Sequence, residues 1–178
     1  MHIIQKDMGE FRRQIEEGSI QKAYRTLLSY MSGLRTHFMH KFGDRAVSGF
    51  YQGNMDMTYF ALIPPSLKRH DLKVAIVFNY NTFRFEAWLA ARNRKVQRHY
   101  WALFKDNHWT AYRVVAPAAG IDSIIECDLA KDFDLSNPAP LTLQIENATA
   151  AFIADIESFL KKAGDSSTRS PSSAPRSL

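Results

Sequence analysis

Seven polar residues sit inside otherwise apolar runs between Ser48 and Trp101: Gln52, Asp56, Thr58, Lys73, Asn79, Arg84 and Glu86. A charge within a strand is costly to bury unless it is paired, so this clustering asks for a partner or a ligand. Asp56 and Glu86 are the two carboxylates of the set. Brought onto one face with Lys73, they fit a metal-dependent phosphodiesterase, in which acids hold a divalent ion against a scissile phosphate. Asn79, Arg84 and Trp88 fit a binding cleft instead, with polar groups for an anion and an indole as floor. A further candidate follows in the chain. Arg94, Arg98, Trp101 and Lys105 recur at spacings of four, three and four, which on a helix makes one basic stripe. Such a stripe tracks phosphates and stacks a base on its indole.

Other chemistries find no support. The chain has no GxxxxGK[ST], GxGxxG or GxSxG, the patterns of a P-loop, a dinucleotide fold and a nucleophile elbow. His37 and His40, with Asp44 beyond, have the spacing of zinc ligands but more often such pairs are not. No metal or cofactor is expected. Cys127 lies between Glu126 and Asp128, whose charges raise a thiol pKa and disfavour the nucleophilic thiolate.

The elements that must position these residues are legible from periodicity. Ile4, Met8, Phe11 and Ile15 recur at helical spacing up to Gly18. Ser19 then caps a second helix, with Ile20, Tyr24, Leu27, Leu28, Met31, Leu34 and Phe38 as its apolar stripe. Strands are predicted at 47–51 and 55–62, joined around Gly53-Asn54, and at 72–80 and 83–91, joined around Asn81-Thr82. Pro64-Pro65 ends the second of these. A helix is predicted over 92–106 with Val96, Tyr100 and Leu103 inward. Further strands are predicted at 109–116, 121–129 and 141–145, and Asn147 is read as the cap of a last helix reaching Ala163. Strands in runs framed by helices imply an α+β fold with a mostly antiparallel sheet of five or more strands.

Alternation then assigns faces. Asp56, Thr58, Phe60 and Leu62 share one, as do Lys73, Ala75, Val77 and Asn79, and Arg84, Glu86 and Trp88. Pairing in chain order lets Asp56, Lys73, Asn79, Arg84 and Glu86 converge over Phe60, Val77 and Trp88. The plain alternative is a solvated face with cross-strand ion pairs such as Lys73 with Glu86.

A composition of 46% apolar and 23% charged residues over 178 positions is that of one globular domain. One cysteine excludes an internal disulfide and suits a reducing cytoplasm. No apolar run approaches the ~20 residues of a membrane span. The net charge of +5 is unevenly placed: +9 over 1–119, −5 over 120–164 and +1 over 165–178. Either the acidic segment docks on the basic body, or the body attracts an anion. The last 14 residues are Ser/Pro-rich and are expected to be disordered, leaving 1–164 as the domain.

The phrases YQGNMDMTYF, LKVAIVFNY and FEAWLAARNRKVQRHYW together resemble a family of bacterial proteins known only as a domain of unknown function, over roughly residues 20–115. The resemblance implies a bacterial, cytosolic, single-domain protein and brings no activity. The element order also resembles the restriction-endonuclease-like core, with Asp56 and Glu86 as acids and Gln97 and Tyr100 on its helix. Trp88 stands where that pattern has lysine, so Lys73 or Lys95 would have to serve. The expected function is therefore a non-catalytic module binding nucleic acid or a phosphate-containing molecule through Asn79, Arg84, Trp88, Arg94, Arg98 and Trp101. The alternatives are a nuclease-like enzyme and a protein-interaction subunit.

Overall fold

A computed structural model of the chain describes residues 2–42 and 46–167. Eleven elements are seen among them. In chain order they are α1 (His2–Glu17), α2 (Ser19–Lys41), β1 (Ala46–Val47), β2 (Met57–Ile63), α3 (Pro65–Lys68), β3 (Leu72–Asn79), β4 (Arg84–Ala91), α4 (Arg94–Asp106), β5 (Arg113–Val114), β6 (Ser123–Ala130) and α5 (Pro138–Ser167). The strands form one antiparallel sheet in the order β1-β2-β3-β4-β6-β5. This is the α+β class, with the first four strands consecutive neighbours as expected.

β3 is the buried centre of the sheet, and the run Val74–Phe78 is almost wholly inaccessible. Such a run of Val, Ile and Phe suits a strand covered on both sides. Its even residues Val74, Ile76 and Phe78 face Phe60 and Leu62 of β2 and Phe85, Ala87 and Leu89 of β4. α2 covers that side, Phe38 meeting Phe60 and Tyr30 meeting Phe85 at ring-centre distances of 5.8 and 5.6 Å. α5 lies beside α2, tied by Tyr30 to Thr142 and by His37 and Lys41 to Glu146. α4 docks on α5 by stacking Phe104 on Phe159. Asn93 caps α4 by accepting from the Val96 N–H at 3.0 Å.

Several expectations are corrected. Residues 141–145 are helical, within α5, which starts on Pro138 rather than at an Asn147 cap. Leu141, Ile145 and Phe152 are buried while Leu143 is exposed, so the inward period is helical and not that of a strand. Pro64-Pro65 ends β2 but also opens a short helix, since proline suits a first helical turn. The 47–51 strand is reduced to β1 plus a single bridge, Tyr51 to Tyr59, and 109–116 to the two residues of β5. Gly18, not Ser19, stands at the start of α2, in a left-handed conformation and without a side-chain cap. α4 turns Gln97, Tyr100 and Phe104 inward, with Val96 and Leu103 only half-buried. α5 runs to Ser167, three residues into the segment expected to be disordered; 168–178 and Asp44 lie outside the described residues.

The α2–α5 contact carries a pH dependence. The His37 hydrogen bond, opposed by burial and joined by Lys41, holds the Glu146 carboxyl below the ordinary glutamate value of 4.5. A lowered native pKa means that the unfolded chain binds the proton more readily. The contribution is complete above the unfolded value and disappears as pH falls through the native one. The urea midpoint should therefore drop between about pH 6 and pH 3, and drop less in Glu146→Gln. Equal drops in the two proteins would rule this contact out as the cause.

Candidate binding site

The sheet face opposite α2 and α5 carries the polar residues, and its register decides which of them meet. Asn79 pairs with Arg84, Val77 with Glu86 and Ala75 with Trp88. β6 continues two of these rows, Asp128 beside Glu86 and Glu126 beside Trp88, and β5 adds Arg113 beside Glu126. Asn79, Arg84, Glu86 and Trp88 thus do come together. A cleft of about 450 Å³ opens along Thr82, Arg84, Glu86, Arg113, Glu126 and Asp128, with Tyr112 and Cys127 at its wall.

Glu86 is the fixed point of this face. It is only 5% exposed and accepts from three neutral donors. The Thr82 hydroxyl donates at 2.6 Å, the Trp88 indole N–H at 2.7 Å, and the Asn79 amide at 3.3 and 3.4 Å to the two oxygens. A buried carboxylate needs such donors, and these lock the indole edge and the turn between β3 and β4.

The two arginines of the cleft are held differently. Arg84 donates through Nη1 to both Asp128 oxygens at 3.1 and 3.2 Å. Asp128 has a second cation, Lys131, at 2.9 Å. Burial would raise its pKa, but the hydrogen bonds from Lys131 and Arg84 outweigh that and lower it. Arg113 bonds Glu126, whose other oxygen accepts from Ser123 Oγ at 2.5 Å. Each carboxylate therefore keeps a partner when its arginine turns away.

Two candidates lie elsewhere. Asp56 is not on this face. Thr58 pairs with Phe78 and Phe60 with Ile76, so the even residues of β2 point under the helices. Asp56 precedes the strand and accepts from the Asn54 and Met57 N–H groups at 2.9 and 2.7 Å. These backbone bonds hold its carboxyl below its ordinary range. Gly53 closes the same turn at φ +68°, where a Cβ would run into the Met57 carbonyl. Lys73 pairs with Ala90, at the far end of β3 from Glu86, which removes the Lys73–Glu86 ion pair. Among the described residues no three His, Cys, Asp or Glu side chains are grouped to hold a metal.

The basic stripe of α4 is largely engaged in structure. Arg94 donates to Gln97 and to the Ile121 carbonyl and faces Asp122 at 3.4 Å. Gln97 is buried and donates to the Ile121 and Ser123 carbonyls, so it anchors a loop. Trp101 is half-buried under Lys105, whose Nζ lies 4.9 Å from the ring centre. Arg98 lines a separate hollow of about 250 Å³ against Pro117, Ala118 and Ala119.

Arg113, Glu126 and Asp128 were not among the predicted site residues. The last two carried a signal, since acids two apart in a strand share a face. Arg113 carried none, because its strand is two residues long.

The chain belongs to the family described as domain of unknown function DUF7000, whose model matches residues 4–160. The match extends past both ends of the block that suggested such a family. No curated protein and no solved structure matches the chain. Among the described residues no helix is long and apolar enough to cross a membrane.

Cys127 at the cleft wall is free, and burial pushes its thiol up to about 11, with Asp128 and then Asp155 adding to the rise. At pH 8 its alkylation by iodoacetamide should run on the order of a hundredfold slower than that of an unperturbed thiol of pKa about 8.5. Labelling at the rate of free glutathione would contradict this.

Proposed function

We propose that this DUF7000 member is a cytoplasmic, non-catalytic binding module that takes a small anionic ligand, a phosphate or carboxylate compound, in the cleft between β4 and β6. One observation carries the reading. Arg84 and Arg113 line the same cleft, and each is held by a carboxylate that has a second partner. An anion drawing Arg84 away leaves Asp128 with Lys131, and one drawing Arg113 away leaves Glu126 with Ser123. Binding then exchanges one charge-assisted bond for another and strands no charge. Trp88, oriented by Glu86, is half-buried on the same sheet face, in the row that runs through Glu126 to Arg113. A volume of about 450 Å³ fits a small molecule rather than a polymer.

The groups at this site are suited to hold rather than to react. Glu86 is occupied by three donors and acts as a positioning residue. Cys127 and Tyr112 are both kept protonated, Tyr112 by burial and by the Asp155 carboxylate that its hydroxyl bonds at 2.7 Å.

Calorimetric titration with inorganic phosphate and with a nucleoside monophosphate tests the proposal. Wild type should bind, and Arg84→Ala and Arg113→Ala should each weaken binding about tenfold, as expected for a lost charge-assisted bond. Arg98→Ala should leave it unchanged. The idea fails if wild type gives no heat or if the cleft substitutions have no effect. Oligonucleotide binding lost in Arg98→Ala would move the site to α4. Magnesium-dependent phosphodiester cleavage lost in Glu86→Ala would replace binding by hydrolysis.

A further inference from the structure

The apolar stripe of α1 is unpartnered. Ile4, Met8, Phe11 and Ile15 follow one face of the helix, and none of them is buried. The polar side of α1 is closed on itself, since Arg12 pairs with Glu16 and Arg13 with Glu10 and Glu17. A second apolar surface lies where α2 begins. It is a groove of about 620 Å³ between Ile20 and Leu27 of α2, Met55, Tyr80, Phe83 and Phe133. Phe83 stands at its mouth with φ +51°, and three residues of this groove, Ile20, Met55 and Phe83, are also exposed.

We propose that the occupant of this groove is α1 of a second copy of the chain, exchanged reciprocally about a two-fold axis. Three observations favour this occupant. First, α1 cannot fold back into its own groove. The groove runs along the first turns of α2, and Gly18 alone connects the two helices, whereas an antiparallel helix pair needs about two to five linking residues. Secondly, the areas match only when both surfaces are used. The four stripe residues and Ile20, Met55 and Phe83 are between 38% and 63% exposed. At roughly 200 Å² for a large apolar side chain, they present on the order of 700 Å² per copy, close to the about 800 Å² per partner of a standard interface. Either surface alone offers about half of that. Thirdly, a lipid surface is a poor match. α1 carries three basic and four acidic residues, while helices that lie on membranes have a polar face rich in Lys and Arg.

The two-fold makes the contact isologous, stripe to groove twice, and closes the assembly at a dimer. Sedimentation velocity on the full 178-residue chain tests it. Wild type should be dimeric at about 100 µM, well above a micromolar Kd. The double variant Met8→Glu, Phe11→Glu should be monomeric, and so should Phe83→Glu. Thermal melts establish that each variant is folded; if Phe83→Glu is not, Met55→Glu takes its place. Mixing the stripe variant with the groove variant should restore a weaker heterodimer, because one intact stripe meets one intact groove. A monomeric wild type overturns the proposal. So does a groove variant that remains dimeric, which would mean that α1 pairs with α1. Flotation of a monomeric wild type with phosphatidylserine vesicles would assign the stripe to lipid instead.

Discussion

The register of the β3–β4 hairpin is the constraint on which both sides of the molecule depend. Its pairs run from Leu72 with Ala91 to Asn79 with Arg84. That pairing sends Phe78 and Phe85 to the helices and Val77 and Glu86 to the other face. A slip of one residue would put Glu86 among the aromatic rings and Phe85 in the polar row. The turn itself guards against the slip. Asn79 Oδ1 accepts from the Asn81 N–H at 3.0 Å, Thr82 reaches Glu86, and Phe83 takes a left-handed conformation against Phe78 and Phe133. An aromatic residue is uncommon at positive φ; here the ring contacts compensate. Of the residues that close the hairpin, Thr82 also lines the cleft and Phe83 lines the apolar groove.

The uneven charge of the chain has a structural use. Asp122, Glu126, Asp128 and Glu146 belong to the acidic segment, and they pair with Arg94, Arg113, Arg84 and Lys41 of the basic one. The two readings of the charge asymmetry are thus not exclusive. The acidic segment docks on the basic body, and in doing so it leaves Arg84 and Arg113 pre-oriented along one cleft. The pair exposed on both sides, Arg94 with Asp122, adds little stability by itself. The pairs also act on placement, since each arginine is held to one direction.

What the sequence made legible follows from how local each signal was. The strands at 55–62, 72–80 and 83–91, the order of all four and the span of the middle helix rest on patterns within ten residues and were read correctly, whereas the 47–51 strand shrank to two residues and a bridge. Asn79, Arg84, Glu86 and Trp88 met as expected because a tight hairpin fixes its own register. Asp56 did not join them because β2 and β3 are linked through α3, and no turn signal sets the register across such a connection. Residues 141–145 were ambiguous in the same physical sense. Leu141, Leu143 and Ile145 satisfy a strand, while Leu141, Ile145 and Phe152 satisfy a helix, and only packing against β6 and α2 decides between them. Arg113 was invisible because two residues carry no period.

The two unpartnered surfaces differ in kind, and the difference bears on what each can bind. In the cleft Arg84, Glu86, Arg113, Glu126 and Asp128 each have a partner, so an anion bound there would gain by exchange, and its affinity would depend on geometry more than on area. On α1 and its groove there is nothing to exchange. Apolar surface in water is unfavourable in proportion to its area, so covering it is favourable for any occupant that fits the shape. Specificity there has to come from the backbone. Gly18 denies the helix its own groove, and Phe83, held at positive φ by Phe78 and Phe133, sets the form of the groove's mouth. Because Phe83 follows Thr82 directly, the residue that shapes the apolar groove adjoins the one that bonds Glu86. A rearrangement of this turn on ligand binding would therefore act on both surfaces through one segment of backbone.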